Sequence, residues 1–112
     1  MRVDPFADVA GIDWASLEHA YGDAHDVPAM LRSLASENPA ERDVGMDGLW
    51  GAVHHQGDVY DSTVAATPFL IRAAQTQGFP SRVGVLEVLT SIAETWEPAP
   101  APRLCELARR PV

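Results

Sequence analysis

At 112 residues with 46% hydrophobic side chains, the chain suits one domain with one core, burying about 65% of its unfolded surface. Sixteen acids against eight bases, every base an arginine, give a net charge of −8, which denies a nucleic-acid interface its main affinity term. The lone cysteine, Cys105, excludes a disulfide framework and a cysteine-based zinc site, and no apolar run approaches the roughly 18 residues of a membrane span.

Six helical segments are predicted, and no strands. Residues 1–12 form an irregular lead-in. The first helix runs over Asp13–Tyr21, with Asp13 as N-cap, Trp14, Leu17 and Tyr21 on one face, and Gly22 as the terminating residue. The second, Val27–Ser36, is capped by Asp26, tolerates Pro28 in its first turn and carries the stripe Val27, Met30, Leu31, Leu34. Asn38-Pro39 is a break. The third, Ala40–His54, repeats the stripe with Met46, Leu49, Trp50 and Val53, which places Trp50 in the core. Its glycines Gly45, Gly48 and Gly51 each cost about 1 kcal/mol against alanine, a cost that makes sense if another backbone approaches them. After a turn at Gln56-Gly57-Asp58, the fourth helix covers Asp61–Gln77, with Asp61 as cap and Pro68 as a kink or restart. The fifth, Pro80–Thr95, carries Val85, Val88, Leu89 and Ile92, and Trp96 extends the stripe. Residues 97–102 form a proline-rich connector, and a short sixth helix, Pro102–Arg110, groups Leu104, Leu107 and Ala108.

The segments repeat. Val27-Pro28-Ala29-Met30-Leu31-Arg32 aligns with Thr67-Pro68-Phe69-Leu70-Ile71-Arg72, and the stripe of the third helix aligns with that of the fifth, at a period of 39 or 40 residues. Two helices per forty residues is the pattern of HEAT and armadillo repeats, so the predicted fold is all-α: a single domain over 1–112, built as a short α-solenoid of three hairpins, Asp13–Ser36, Ala40–Gln77 and Pro80–Arg110.

The stretch from Asp13-Trp14 to Gly22, then Asp26-Val27-Pro28, resembles the opening of actinobacterial HEAT repeat-containing proteins, as does His55-Gln56-Gly57-Asp58-Val59-Tyr60 followed by Ala66-Thr67-Pro68-Phe69-Leu70. The resemblance spans about residues 12–95. It implies a helical scaffold and assigns no activity.

Candidate contact residues for a ligand or partner are His54, His55, Gln56, Asp58 and Tyr60, set where the third helix ends. Adjacent helical histidines point about 100° apart, which does not suit one metal, and no zinc spacing is present, so neither a metal nor a cofactor is expected. The plainer role for this pair is one histidine on the helix's terminal carbonyls and the other in the loop with Tyr60. Ser62 and Thr63 follow His55 without a forced nucleophile–base geometry, Cys105 reads as inert core, and no catalytic residue is assigned.

The acids are uneven: residues 1–61 hold twelve against three arginines, residues 62–112 four against five. An acidic half steers a basic partner toward it. The expected function is therefore a non-enzymatic protein–protein interaction module; the alternative is an immunity protein that covers a basic toxin with its acidic surface. Neither nucleic acid nor membrane is an expected partner, and a homodimer through an exposed terminal hairpin is, since Leu104 and Leu107 lack a polar cover. Asp4 and Asp8 interrupt the stretch where a secretory leader would stand, which favours the cytoplasm.

Overall fold

The computed structural model describes residues 4–54 and 58–95. The predicted proline-rich connector and sixth helix, and with them Trp96, Leu104, Cys105 and Leu107, lie outside the described residues, as do His55 and Gln56. Two 3-10 turns, Val9–Gly11 and Trp14–Ser16, lead into a two-stranded antiparallel hairpin, β1 (Glu18–His19) and β2 (Gly22–Asp23), paired Glu18 to Asp23 and His19 to Gly22. Four α-helices follow: α1 (Val27–Ser33), α2 (Pro39–Gly48), α3 (Asp61–Gln75) and α4 (Arg82–Thr95).

This arrangement corrects the solenoid. Among the described residues the fold is mixed, with four α-helices and a small sheet, and not stacked helix pairs of a solenoid. Helices α1 and α2 pack together, as do α3 and α4, so the pairing is offset by one element from the expected hairpins. The forty-residue repeat fails for a local reason. Pro28 sits in the first turn of α1, where its missing N–H costs nothing, whereas Pro68 is the eighth residue of an α3 that runs unbroken through it. The matching strings therefore occupy different places in their helices. Val64 and Pro68 are both exposed, so water can serve the carbonyl that the proline leaves without a partner.

Asp13–Tyr21 does not form a helix because its backbone donors are claimed elsewhere. Asp13 makes no side-chain cap. Glu18 N–H donates to the Asp61 carboxylate (2.7 Å), Ala20 N–H to Ala52 O (3.0 Å) and Tyr21 N–H to His19 Nδ1 (3.1 Å), while the Trp14 side chain is held separately by its indole N–H on Val9 O (2.7 Å). Gly22 supplies the turn with φ +129°, a conformation that residues with a Cβ rarely adopt. Tyr21, expected on the apolar face, is 73% exposed.

Elsewhere the apolar stripes do what their spacing implies. Val27, Leu31 and Leu34 from the α1 region, Leu49 and Val53, Phe69 and Leu70 of α3, and Val85, Val88 and Ile92 of α4 form one buried cluster with Phe6, Val9 and Trp14. The N-terminal segment belongs to this core. Phe6 meets Phe79 edge-on at 5.8 Å, Trp14 leans on Phe69 at 6.2 Å, and Arg72 covers the Phe69 ring at 5.2 Å while pairing with Asp8 at 2.6 Å. Asn38 caps α2 through Ala40 N–H (2.9 Å). Asp26 does not cap α1; its carboxylate meets His19 Nε2 at 2.9 Å. Tyr21 N–H donates to Nδ1 of the same ring, so Nε2 carries the proton that Asp26 accepts.

The third predicted helix is two structures. Its α part ends at Gly48, and Leu49–Val53 is a π turn closed by His54 N–H on Leu49 O (2.8 Å), five residues back. The extra residue per turn keeps Leu49 and Val53 buried and turns Trp50 outward, to 38% exposure, so Trp50 is not the core residue that its stripe suggested. The close backbone approach expected of the three glycines occurs at Gly45 alone, and Gly48 meets a side chain instead. A Cβ on Gly45 would lie 2.7 Å from Met30 O and 2.8 Å from Ser33 Cβ, and one on Gly48 would lie 3.0 Å from the Met30 side chain, whereas Gly51 faces open space.

Gly45→Ala is therefore expected to destabilise the fold by about 1–3 kcal/mol, because overpacking against a backbone carbonyl outweighs the gain of about 1 kcal/mol in helix propensity. Gly51→Ala, which meets no such wall, serves as the control and should not lower the melting temperature. Thermal unfolding of the two single variants checks the contrast.

Candidate functional site

The predicted contact residues fall into three situations. His54 is fully buried, Asp58 is exposed, Tyr60 is half-buried, and His55 and Gln56 lie outside the described residues. His54 does not cap its own helix. Its Nδ1 lies 3.0 Å from the Asp58 carbonyl, across the loop, and its Nε2 lies 2.7 Å from Ser91 Oγ on α4. A carbonyl can only accept, so Nδ1 carries a proton, and Nε2 of the neutral ring accepts a hydrogen bond from the Ser91 hydroxyl. The ring is packed against Trp50, centroids 5.8 Å apart. One side chain thus ties the π turn, the following loop and α4 together, and it can do so because the π turn directs it inward.

A second bond set closes the same loop. Tyr60 N–H donates to Thr63 Oγ1 (2.9 Å), and the Thr63 hydroxyl donates to Val53 O. Tyr60, and not the expected Asp61, is the N-cap of α3; the Asp61 carboxylate instead holds Glu18 of the hairpin. The Tyr60 hydroxyl reaches Asp58 Oδ2 at 3.4 Å, and burial, with the Asp58 carboxylate beside it, pushes the phenol above its ordinary range. Beside Thr63, Ser62 is buried with its hydroxyl unpartnered among the described residues. The first part of the string that carried the family resemblance therefore builds a loop, and of its described residues, 58–60, only Asp58 is well exposed.

Ser91 is the residue that sequence reading missed. It stands 37 positions from His54 in a helix chosen for its apolar stripe, so no local spacing announces it. Ser91, His54 and the Asp58 carbonyl form a nucleophile–base–orienter chain, and Ser91 also lines an open groove of about 470 Å³ together with Trp50, Val83, Leu86, Glu87 and Glu94. The chain lacks what acyl transfer needs. Ser91 lies inside α4, where its own N–H belongs to the helical ladder, and the carboxylates of Glu87 and Glu94 in the groove wall oppose a developing oxyanion. The arrangement is a packing bond.

A second cleft, of about 340 Å³, lies between the N-terminal turn at Pro5 and Phe6, the end of α1 at Arg32, and the α3–α4 turn at Gly78 and Phe79. Arg32 is exposed on its rim without an ion-pair partner among the described residues. Among those residues there is no group of three or more histidine, cysteine or acidic side chains that could hold a metal, and no helix long and apolar enough to cross a membrane. Compared with known proteins, the chain matches no family model, no curated protein and no solved structure.

The surface around these features is acidic and poorly neutralised. Among the described residues, Arg72 with Asp8 is the one guanidinium–carboxylate pair. Arg42 and Arg82 donate to the backbone carbonyls of Ser36 and Ala74, each at 2.7 Å. In the hairpin, Glu18 stands directly opposite Asp23, a like-charge pairing that costs stability. His25 relieves it: its Nδ1 bonds the Asp23 carboxylate, which raises the histidine above its ordinary value and lowers Asp23.

Ser91→Ala leaves Nε2 of a buried ring without its donor and is expected to cost about 1–2 kcal/mol in chemical denaturation, while Asp58→Ala, which keeps the backbone carbonyl, should cost less. The His25–Asp23 contact favours protonated histidine in the folded chain. Its stabilisation is thus complete below the unfolded histidine value, near pH 6.5, and is lost as pH rises through the higher folded value. Histidine titration by NMR should show His25 above the ordinary value, and Asp23→Asn should return it.

Proposed function

We propose that the chain is a non-enzymatic protein-binding module that presents the outer face of α2 to a basic partner. The observation that carries this reading is the side-chain pattern there. Glu41, Asp43 and Asp47 are exposed and have no cationic partner among the described residues, and Val44, in their midst, is 70% exposed. A large exposed aliphatic side chain ringed by carboxylates without cationic partners among the described residues, Glu41 accepting only from the Ser36 hydroxyl, suits a segment that brings an apolar anchor with lysines or arginines around it. Charge then supplies steering and partner choice, and the anchor supplies contact. The reading depends on no repeat architecture. The same face supports the alternative, an immunity protein covering the basic site of a toxin, with the basic nuclease itself as the partner.

A synthetic peptide of interleaved lysines and leucines serves as the probe, with affinity read by calorimetry at low salt. Changing Glu41, Asp43 and Asp47 together to lysine is expected to weaken binding by about tenfold or more, whereas the same change at Asp13, Glu18 and Asp58 should weaken it far less. Equal losses from the two triple variants would reduce the effect to net charge and remove α2 as the binding face. A basic nuclease in place of the peptide separates the two readings.

A further inference from the structure

The groove beside Ser91 is a different surface from the outer face of α2. Its floor is apolar and open: Val83 is 74% exposed, Leu86 40% and Trp50 38%. Along α4, Glu87, Thr90, Ser91 and Glu94 fall on one stripe, so its two carboxylates stand two turns apart. Both are exposed and neither has a cationic partner among the described residues.

We propose that this groove is the docking site of residues 102–110 of the same chain. Three features favour that occupant. The first is charge. Residues 102–110 hold Arg103, Arg109 and Arg110 against the single acid Glu106, and the groove offers Glu87 and Glu94. The second is spacing. Read as a helix, the segment places Arg103, Leu107 and Arg110 on one stripe with Leu104 and Ala108 beside it. Arg103 and Arg110 are then about 10 Å apart along the axis, the same separation as Glu87 and Glu94. An antiparallel placement sets Arg103 against Glu94 and Arg110 against Glu87, with Leu107 between the two pairs, level with Thr90. The third is reach. Helix α4 ends at Thr95, at the Glu94 end of the groove. Six residues, 96–101, can reach about 19 Å at about 3.1 Å per residue, close to the roughly 21 Å length of α4. Pro102 can therefore begin at any point along the groove.

Backbone amide exchange of the full-length protein, read residue by residue, tests this. Amides 104–110 should exchange about tenfold or more slowly than in an unstructured peptide. Changing Glu87 and Glu94 together to arginine should abolish that protection while the inner amides of α4 at Val85, Val88 and Ile92 keep theirs. Adding Arg103→Glu and Arg110→Glu to this variant should restore it. Free exchange of 104–110 in the unaltered protein overturns the proposal, as does protection that ignores the charge changes or is not restored by the swap. Protection that rises with protein concentration also overturns it, since the segment would then come from a second copy. None of these readouts involves the outer face of α2 or the basic probe.

Discussion

The described body depends on how closely α1 and α2 approach. At Gly45 the two helices are separated by less than a side chain: one methyl group there would touch the Met30 carbonyl. That contact fixes α2 against α1, and the next links follow from it. Met46 of α2 reaches Gly84 of α4, where a Cβ would lie 2.6 Å from the methionine methyl. Ser81, just before α4, donates to Leu34 O beyond α1 (2.8 Å). A pair of helices set by glycine thus locates the helix on the far side of the core. Interiors packed at crystal-like density transmit such constraints because they have no slack to absorb them.

The polar bonds play a different role. The part-buried ones include two that join segments far apart in sequence, His54 to Ser91 and Ser81 to Leu34, while the buried bonds of Thr63 to Val53 and Trp14 to Val9 fix local turns. Apolar burial supplies the driving force and is indifferent to small displacements. The hydrogen bonds choose among the arrangements that burial permits, since each misplacement would leave a buried donor or acceptor without a partner. The hairpin shows the same division. It buries little beyond His19, and it is held in place by Asp61, Asp26 and Ala52, residues of other elements.

Much of the helical body was legible in the sequence, because stripes of period near 3.6 record which residues face a core. Val27, Leu31 and Leu34, and Val85, Val88 and Ile92, are buried as their spacing implies. The reading failed where tertiary bonds compete with local propensity. Asp13–Tyr21 carries a helical pattern, yet its backbone donors at Glu18 and Ala20 are taken by Asp61 and Ala52, which no window of nine residues can reveal. The apparent repeat failed because a shared string says nothing about position within a helix, as Pro28 and Pro68 illustrate. In the candidate site the loop residues were singled out by a histidine pair at the end of a predicted helix, but Ser91, the distant half of the main bond there, left no trace in spacing.

The π turn at Leu49–Val53 holds one residue more than an α-helix of the same rise would need. In effect it is an insertion that the fold has absorbed without breaking the helix, and it sets the phase of everything after it. Taking out one residue of this turn would let the helix close in its ordinary register and turn His54 by about 100° away from Ser91. The length of this segment, counted in single residues, is therefore as much a determinant of the structure as the identity of any side chain within it.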